Sequence, residues 1–222
     1  MAKKLYDTVL FDLDGTVLNT LTDLTNGVNY ALDALGMMRR TEEEIRIFIG
    51  DGVYKLLERS MGGCGDESEI SKAVDIFREH YSAHQTDNTL PYKGIPELLD
   101  ALKNHGVNTA IVSNKRDSNV KALSEHFFKE KIMLSLGNID FSKRKPDPYL
   151  INKAIDHFGT EKARVLYIGD SEIDIKAAAN AGIDCLCVSY GFRKYDQLKA
   201  AGAKNIAKNS EEILKYIIQE DV

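Results

Sequence analysis

The chain has 222 residues, 43% hydrophobic and 28% charged, which is the balance of a globular protein and excludes a disordered or fibrous one. A formal net charge of -5 excludes a general polyanion binder, so no nucleic acid is expected as a partner. Three cysteines, with Cys64 far along the chain from Cys185-Leu186-Cys187, do not make a disulfide framework, and no apolar stretch could span a bilayer.

Met1-Ala2-Lys3-Lys4 runs directly into Leu5-Tyr6-Asp7 without a signal-peptide apolar region, so a cytoplasmic location and no membrane partner are expected. The first expected element is a strand from Asp7 to Phe11. From Leu21 to about Gln85 the pattern is helical, with Leu21, Leu24, Val28, Leu32 and Leu35 at helical spacing and no convincing strand. Alternation resumes after Leu90-Pro91-Tyr92-Lys93-Gly94. A helix from Pro96 to His105 precedes a strand from Val107 to Val112, and a helix from Asp117 to Phe127 precedes a strand from Ile132 to Leu136. A helix from Pro148 to Phe158 follows, with Asp147 as its N-cap, Pro148 at its first position and Gly159 as its stop. The set closes with a strand from Arg164 to Ile168, a helix from Ile173 to Ala181 ended by Gly182, and a strand from Asp184 to Val188. The cysteine pair in that last run reads as strand interior. Such alternation predicts an α/β protein with a Rossmann-like three-layer parallel-sheet core. The helical stretch interrupts it as an inserted cap domain, so the expected division is 1–15 with 90–222 for the core and 16–89 for the cap.

The chemistry-bearing residues stand at strand ends, where open parallel sheets bind ligands. Asp12-Leu13-Asp14-Gly15-Thr16 places two carboxylates two positions apart, and Gly15 allows a sharp turn and close approach to an anion. Ser113-Asn114 ends the second strand with a hydroxyl and an amide, groups that either bond a phosphoryl oxygen or cap the next helix. In Lys145-Pro146-Asp147-Pro148 an ammonium precedes a helix start as a fixed point charge for phosphate, while Lys143 and Arg144 read as solvent-facing. Gly169-Asp170-Ser171-Glu172-Ile173-Asp174 again ends an apolar strand in acids; if Ser171 begins a helix, Asp170 and Asp174 lie close to one face. Such oxygen ligands suit Mg2+, with Asp12 and Asp170 flanking a bound phosphoryl group.

Taken in order, these four elements resemble the haloacid dehalogenase superfamily (HAD), over essentially the whole chain. Asp12 to Thr16 is similar to its nucleophile motif, Ser113-Asn114 to its second, Lys145 to its third, and Gly169-Asp170 through Asp174 to its fourth. The insert after the first motif is similar to the cap of the subfamily with phosphoglycolate phosphatases, as is Phe48-Ile49-Gly50-Asp51-Gly52-Val53 followed by Leu56-Leu57-Glu58-Arg59. The resemblance implies a phosphatase acting through a phosphoaspartate on Asp12. Asp14 would protonate the leaving oxygen, then activate water, and give its backbone carbonyl to the metal. Gly15, Ser113, Asn114 and Lys145 would hold the phosphoryl group, and Asp12, Asp14, Asp170 and Asp174 would hold Mg2+.

The expected substrate is a small phosphorylated metabolite, with 2-phosphoglycolate the best single choice. Gly50 and Gly52 open a cap helix whose bare amides suit an anion, and Lys55 lies a turn further on; Asp51 would repel a carboxylate unless it faces away or caps the helix. Closure of the cap as a lid, hinged near Gly15 to Thr20 and Asn88 to Gly94, would expel water. His80 and His84 have zinc-compatible spacing without a third ligand, and Gly191-Phe192-Arg193 reads as a structural loop or as a site for Arg193 near substrate. The same core motifs are compatible with a phosphosugar mutase of the beta-phosphoglucomutase kind or a pyrophosphatase, and a non-catalytic phosphoaspartate signalling module is the alternative from another class. A dehalogenase lacks the second aspartate, against which Asp14 stands. The oligomeric state is left as monomer or homodimer.

Overall fold

Thr8, Val9, Leu10 and Phe11 are all buried because the strand they form, β1 (Thr8–Phe11), is covered on both faces. The computed structural model describes residues 3–63 and 65–219, Lys3 by its backbone; the readings made of Met1-Ala2 and of Cys64 lie outside the described residues. β1 is central to a six-stranded parallel sheet with β2 (Asn108–Arg116), β3 (Leu134–Asn138), β4 (Val165–Gly169), β5 (Asp184–Val188) and β6 (Asn205–Ala207), in the order β3-β2-β1-β4-β5-β6. The order reverses beside β1, and a doubly wound sheet leaves its crevice at that point.

Alternation of side chains sorts the core into two layers. Val9, Phe11, Ile111, Leu166 and Ile168 face α5 (Ile95–Asn104), α6 (Asp117–Phe128) and α10 (Ser210–Ile217). Leu10, Ala110, Val112, Val165 and Tyr167 face α7 (Tyr149–Phe158) and α8 (Glu172–Ala181). Strand and helix positions match the expectation to within one to four residues. The largest difference is β2, which continues through Ser113 and Asn114 to Arg116, so those two residues belong to a strand and not to a helix cap. Pro148 is the N-cap of α7, displacing Asp147, whose Oδ1 nevertheless accepts from the Tyr149 N–H at 2.8 Å. Gly159 and Gly182 end their helices in the left-handed conformation as expected. Beyond the elements expected from the sequence, α9 (Tyr195–Ala200) and α10 flank the three-residue β6, which extends the sheet.

The chain divides into two compact units, one of residues Met1–Leu18 and Pro91–Val222 and the other of Asn19–Leu90. The second unit is helical: α1 (Leu21–Ala34), α2 (Glu42–Phe48), α3 (Val53–Ser60) and α4 (Glu67–His84). Capping boxes start α2 at Thr41 with Glu44 and α4 at Asp66 with Glu69. Gly27 lets α1 approach α4, since a Cβ there would lie 2.9 Å from Phe77 Cε2. Buried Asp23 accepts from the backbone N–H groups of Asn88 and Thr89, the Asn88 amide and the Thr89 hydroxyl, which ties the departing chain to α1. Among the described residues no helix is long and apolar enough to cross a membrane.

Candidate active site

Phe11 lies level with Ile111 of β2 and Ile168 of β4, so Asp12 and Asp170, just past the ends of their strands, and Ser113, still within β2, lie within two positions of that level on three adjacent strands. Asp12, Asp170 and Asp174 each offer a carboxylate oxygen within 4.8 Å of the others, and all three are buried. Asp174 reaches the cluster because Ser171 is the N-cap of α8, with the Ser171 hydroxyl donating to Asp174 Oδ2 at 2.6 Å. Lys145 sits among these acids with its Nζ 2.9 Å from Asp12 Oδ1, 2.7 Å from Asp174 Oδ1 and 2.9 Å from the Tyr167 hydroxyl. Tyr167 in turn donates to the Val112 carbonyl at 2.9 Å.

Burial pushes the Asp12 carboxyl up to about 6; Lys145 opposes this, while Asp174 and Asp14 add to it. Asp170 is raised well above the usual carboxylate range, by burial first and then by Asp174 and Asp12, against the Phe192 N–H and Arg193. Burial disfavours the charge on Lys145, yet Asp12 and Asp174 hold its pKa well above the ordinary lysine value. The site is thus a desolvated acidic cluster with one buried cation, and hard oxygen donors that are costly to ionise alone fit a small divalent cation such as Mg2+.

The remaining expected residues take differentiated places. Gly15 has φ +81°, a conformation open to glycine, and a Cβ there would collide with Asp170 Oδ2. Ser113 Oγ accepts from the Lys115 N–H at 3.3 Å. Asn114, expected to bond a phosphoryl oxygen, braces the backbone of Lys145: its Oδ1 accepts from the Lys145 N–H at 2.6 Å and its Nδ2 donates to the Lys145 carbonyl at 3.0 Å. Asp14 is ion-paired with Lys115, which is not among the residues expected at the site. The strand period gives no signal for it, because the register of β2 against β3 shifts between Val112 and Arg116. The loop after β5 contributes through its backbone, the Phe192 N–H donating to Asp170 Oδ2 at 2.6 Å, whereas Arg193 forms a two-bond pair with Glu172.

Gly50, Gly52 and Lys55 belong to the helical unit. Gly52 is the N-cap of α3 with φ 82°, so its backbone opens that helix without a side-chain cap. Lys55 pairs with Glu58 at 2.5 Å, and Asp51 pairs with Arg59, whose Nη1 also donates to the Phe48 carbonyl at 2.8 Å. Asp51 is therefore neither a helix cap nor an unmatched charge. His80 stacks on His84 with ring centroids 4.4 Å apart, and His84 Nδ1 lies 2.8 Å from Asp87.

Residues 9–188 match the haloacid dehalogenase-like hydrolase family. A phosphoglycolate phosphatase of Thiobacillus denitrificans is 34% identical over 191 residues, 84% of each chain. One of Vibrio parahaemolyticus is 30% identical over 218 residues, 94% of this chain and 95% of that one. A crystal structure from Lactobacillus delbrueckii subsp. bulgaricus, provisionally named a phosphoglycolate phosphatase, has a TM-score of 0.92 at 32% identity and covers 98% of this chain and 100% of its own. The chain belongs to the haloacid dehalogenase-like hydrolase family, as a phosphatase.

Proposed function

We propose that the protein is a Mg2+-dependent phosphatase that hydrolyses a small phosphomonoester, 2-phosphoglycolate first among candidates, through an aspartyl phosphate on Asp12. The observation that carries the reading is the buried group of Asp12, Asp170 and Asp174 around the Lys145 ammonium at the sheet's switch point. The names of the relatives support the substrate. Asp12 and Asp170, the Asp14 main-chain carbonyl and Asp174 in support would hold Mg2+, which supplies positive charge that lets a carboxylate approach an anionic ester.

Leu13 N–H and Lys145 both hold Asp12 Oδ1, at 2.7 and 2.9 Å, which directs the attack on phosphorus to Oδ2. As the new O–P bond forms, the ester O–P bond breaks, and the Asp14 carboxyl gives its proton to the leaving oxygen. Water then attacks the phosphoryl group, Asp14 takes the water's proton, and the bond to Asp12 breaks to release phosphate. Ser113, the Gly15 backbone and Lys145 position the phosphoryl oxygens, and Asn114 does so through its hold on Lys145. Asp174, whose carboxylate is already engaged by Lys145 and Ser171, keeps the lysine aimed at Asp12. Chemistry on the sheet unit and substrate choice on a helical cap, 16–89, belong to the same proposal.

The test is phosphate release from 2-phosphoglycolate, an aryl phosphate, sugar phosphates and pyrophosphate, with Mg2+ and after chelation. Activity is expected with Mg2+ alone, and Asp12→Asn is expected to abolish it together with the phosphorylated protein seen by mass spectrometry after rapid acid quenching. Full activity after exhaustive chelation would refute the metal assignment. Accumulation of an isomerised sugar phosphate, or faster release from pyrophosphate, would replace the substrate.

A further inference from the structure

Lys115 leaves the end of β2 and reaches back over 101 positions of sequence to Asp14, its Nζ 2.9 Å from Oδ1 and 3.1 Å from Oδ2. The pair is screened from water, with the side chains only 7% and 15% exposed, so it is unlike the solvent-exposed pairs that contribute little. An ammonium shared between both oxygens removes the freedom of a short side chain on a turn. Asp14 needs that restraint, because Gly15 beside it has left-handed backbone and the chain turns there. Nothing in the proposed chemistry uses Lys115 directly: Lys145 is the cation on the nucleophile.

We infer that Lys115 is a positioning residue for the Asp14 side chain, orienting it both as the carboxylate that takes a proton from the attacking water and, once protonated, as the acid that gives that proton to the leaving oxygen. The inference rests on the acid–base role proposed for Asp14. A proton delivered in the transition state loses effectiveness steeply when the donor is misplaced, and the loss is greatest for basic leaving groups that most need protonation. A cation that merely attracts phosphate acts on every substrate alike.

The experiment compares kcat and KM on an alkyl phosphate and on an aryl phosphate with an acidic leaving group, for Lys115→Met, Asp14→Asn and the double variant. Lys115→Met is expected to lower kcat on the alkyl ester about 10- to 100-fold, with a loss under about 3-fold on the aryl ester and little change in KM. The double variant is expected to be no slower than Asp14→Asn, since Lys115 acts only through Asp14. Lys115→Gln, which keeps the length and one donor, is read the same way where the methionine variant is too unstable to assay. Equal losses on both esters, a KM rise shared by both, or additive effects in the double variant overturn the inference. If Asp14→Asn shows the leaving-group selectivity while the Lys115 variants do not, only this inference falls; if Asp14→Asn shows none, the acid–base role falls with it.

Discussion

Lys145 shows how one residue joins chemistry and stability. It is 2% exposed and neutralises two buried carboxylates, so removing it leaves Asp12 and Asp174 without their cation. Breaking a buried pair from one side costs about 3–5 kcal/mol, far more than a surface pair contributes. Lys145→Met is therefore expected to lower the unfolding free energy of the metal-free protein by about that amount in urea titrations at pH 8. The loss should shrink at pH 5, because Asp12, with a pKa of about 6, can then escape its charge by taking a proton. A loss that stays the same at both pH values would count against the account. Around the lysine, much was legible locally: Asp12, Asp170 and Asp174 announce themselves as acids after apolar strands. The use of the Asn114 amide was not, because its partner is 31 positions away and only the sheet brings them together.

Among the elements, α4 carries a histidine with an unusual setting. The His80 ring lies between Tyr30 and His84, with centroids 4.1 and 4.4 Å away, and its Nδ1 is buried with no hydrogen-bond partner among the described residues. Burial lowers its pKa below 6.5, His84 adds to the shift, and Asp87 opposes it. A histidine with a depressed folded-state pKa stabilises the protein above its unfolded pKa, and that contribution is lost as pH falls from 6.5 through the folded value. His80→Phe, which keeps the stack, is thus expected to raise the thermal midpoint relative to the parent protein more at pH 5 than at pH 7, so that its slope against pH differs from the parent's. An unchanged slope in the variant would assign the pH dependence elsewhere. The helical periodicity of α1 to α4 was readable from spacing alone, but this ring stack depends on which faces of α1 and α4 meet.

The whole molecule is less stable at its site than a uniformly apolar core would be. A folded-state pKa of about 6 on Asp12 against an ordinary 3.8 means that the folded state favours the proton: the contribution is fully present below pH 3.8 and is lost as pH rises through 6. At neutral pH the fold therefore carries desolvated negative charge that a divalent cation would relieve. Added Mg2+ is expected to raise the unfolding midpoint more at pH 7.5 than at pH 5, by mass action on the folded state alone. Asp170→Asn should reduce the effect. Equal shifts at both pH values in calorimetry, or none at either, would argue against a cation at this cluster.

The alternation of Val9-Leu10-Phe11, Tyr167-Ile168 and the intervening amphipathic helices determined the α/β class, because strand and helix periods are local properties of a chain. The placing of acids, a hydroxyl and a lysine after successive strands pointed to the candidate site for a related reason: in a parallel sheet, every strand ends at the same edge. Only the tertiary structure decided which of those groups touch. It set Lys115 on Asp14, joined the Asn114 amide to Lys145, paired Asp51 with Arg59 and brought the Phe192 N–H to Asp170. Each of these contacts joins residues 8 to 101 positions apart, beyond the reach of a strand or helix period, so their partners emerge only when the backbone has folded them together.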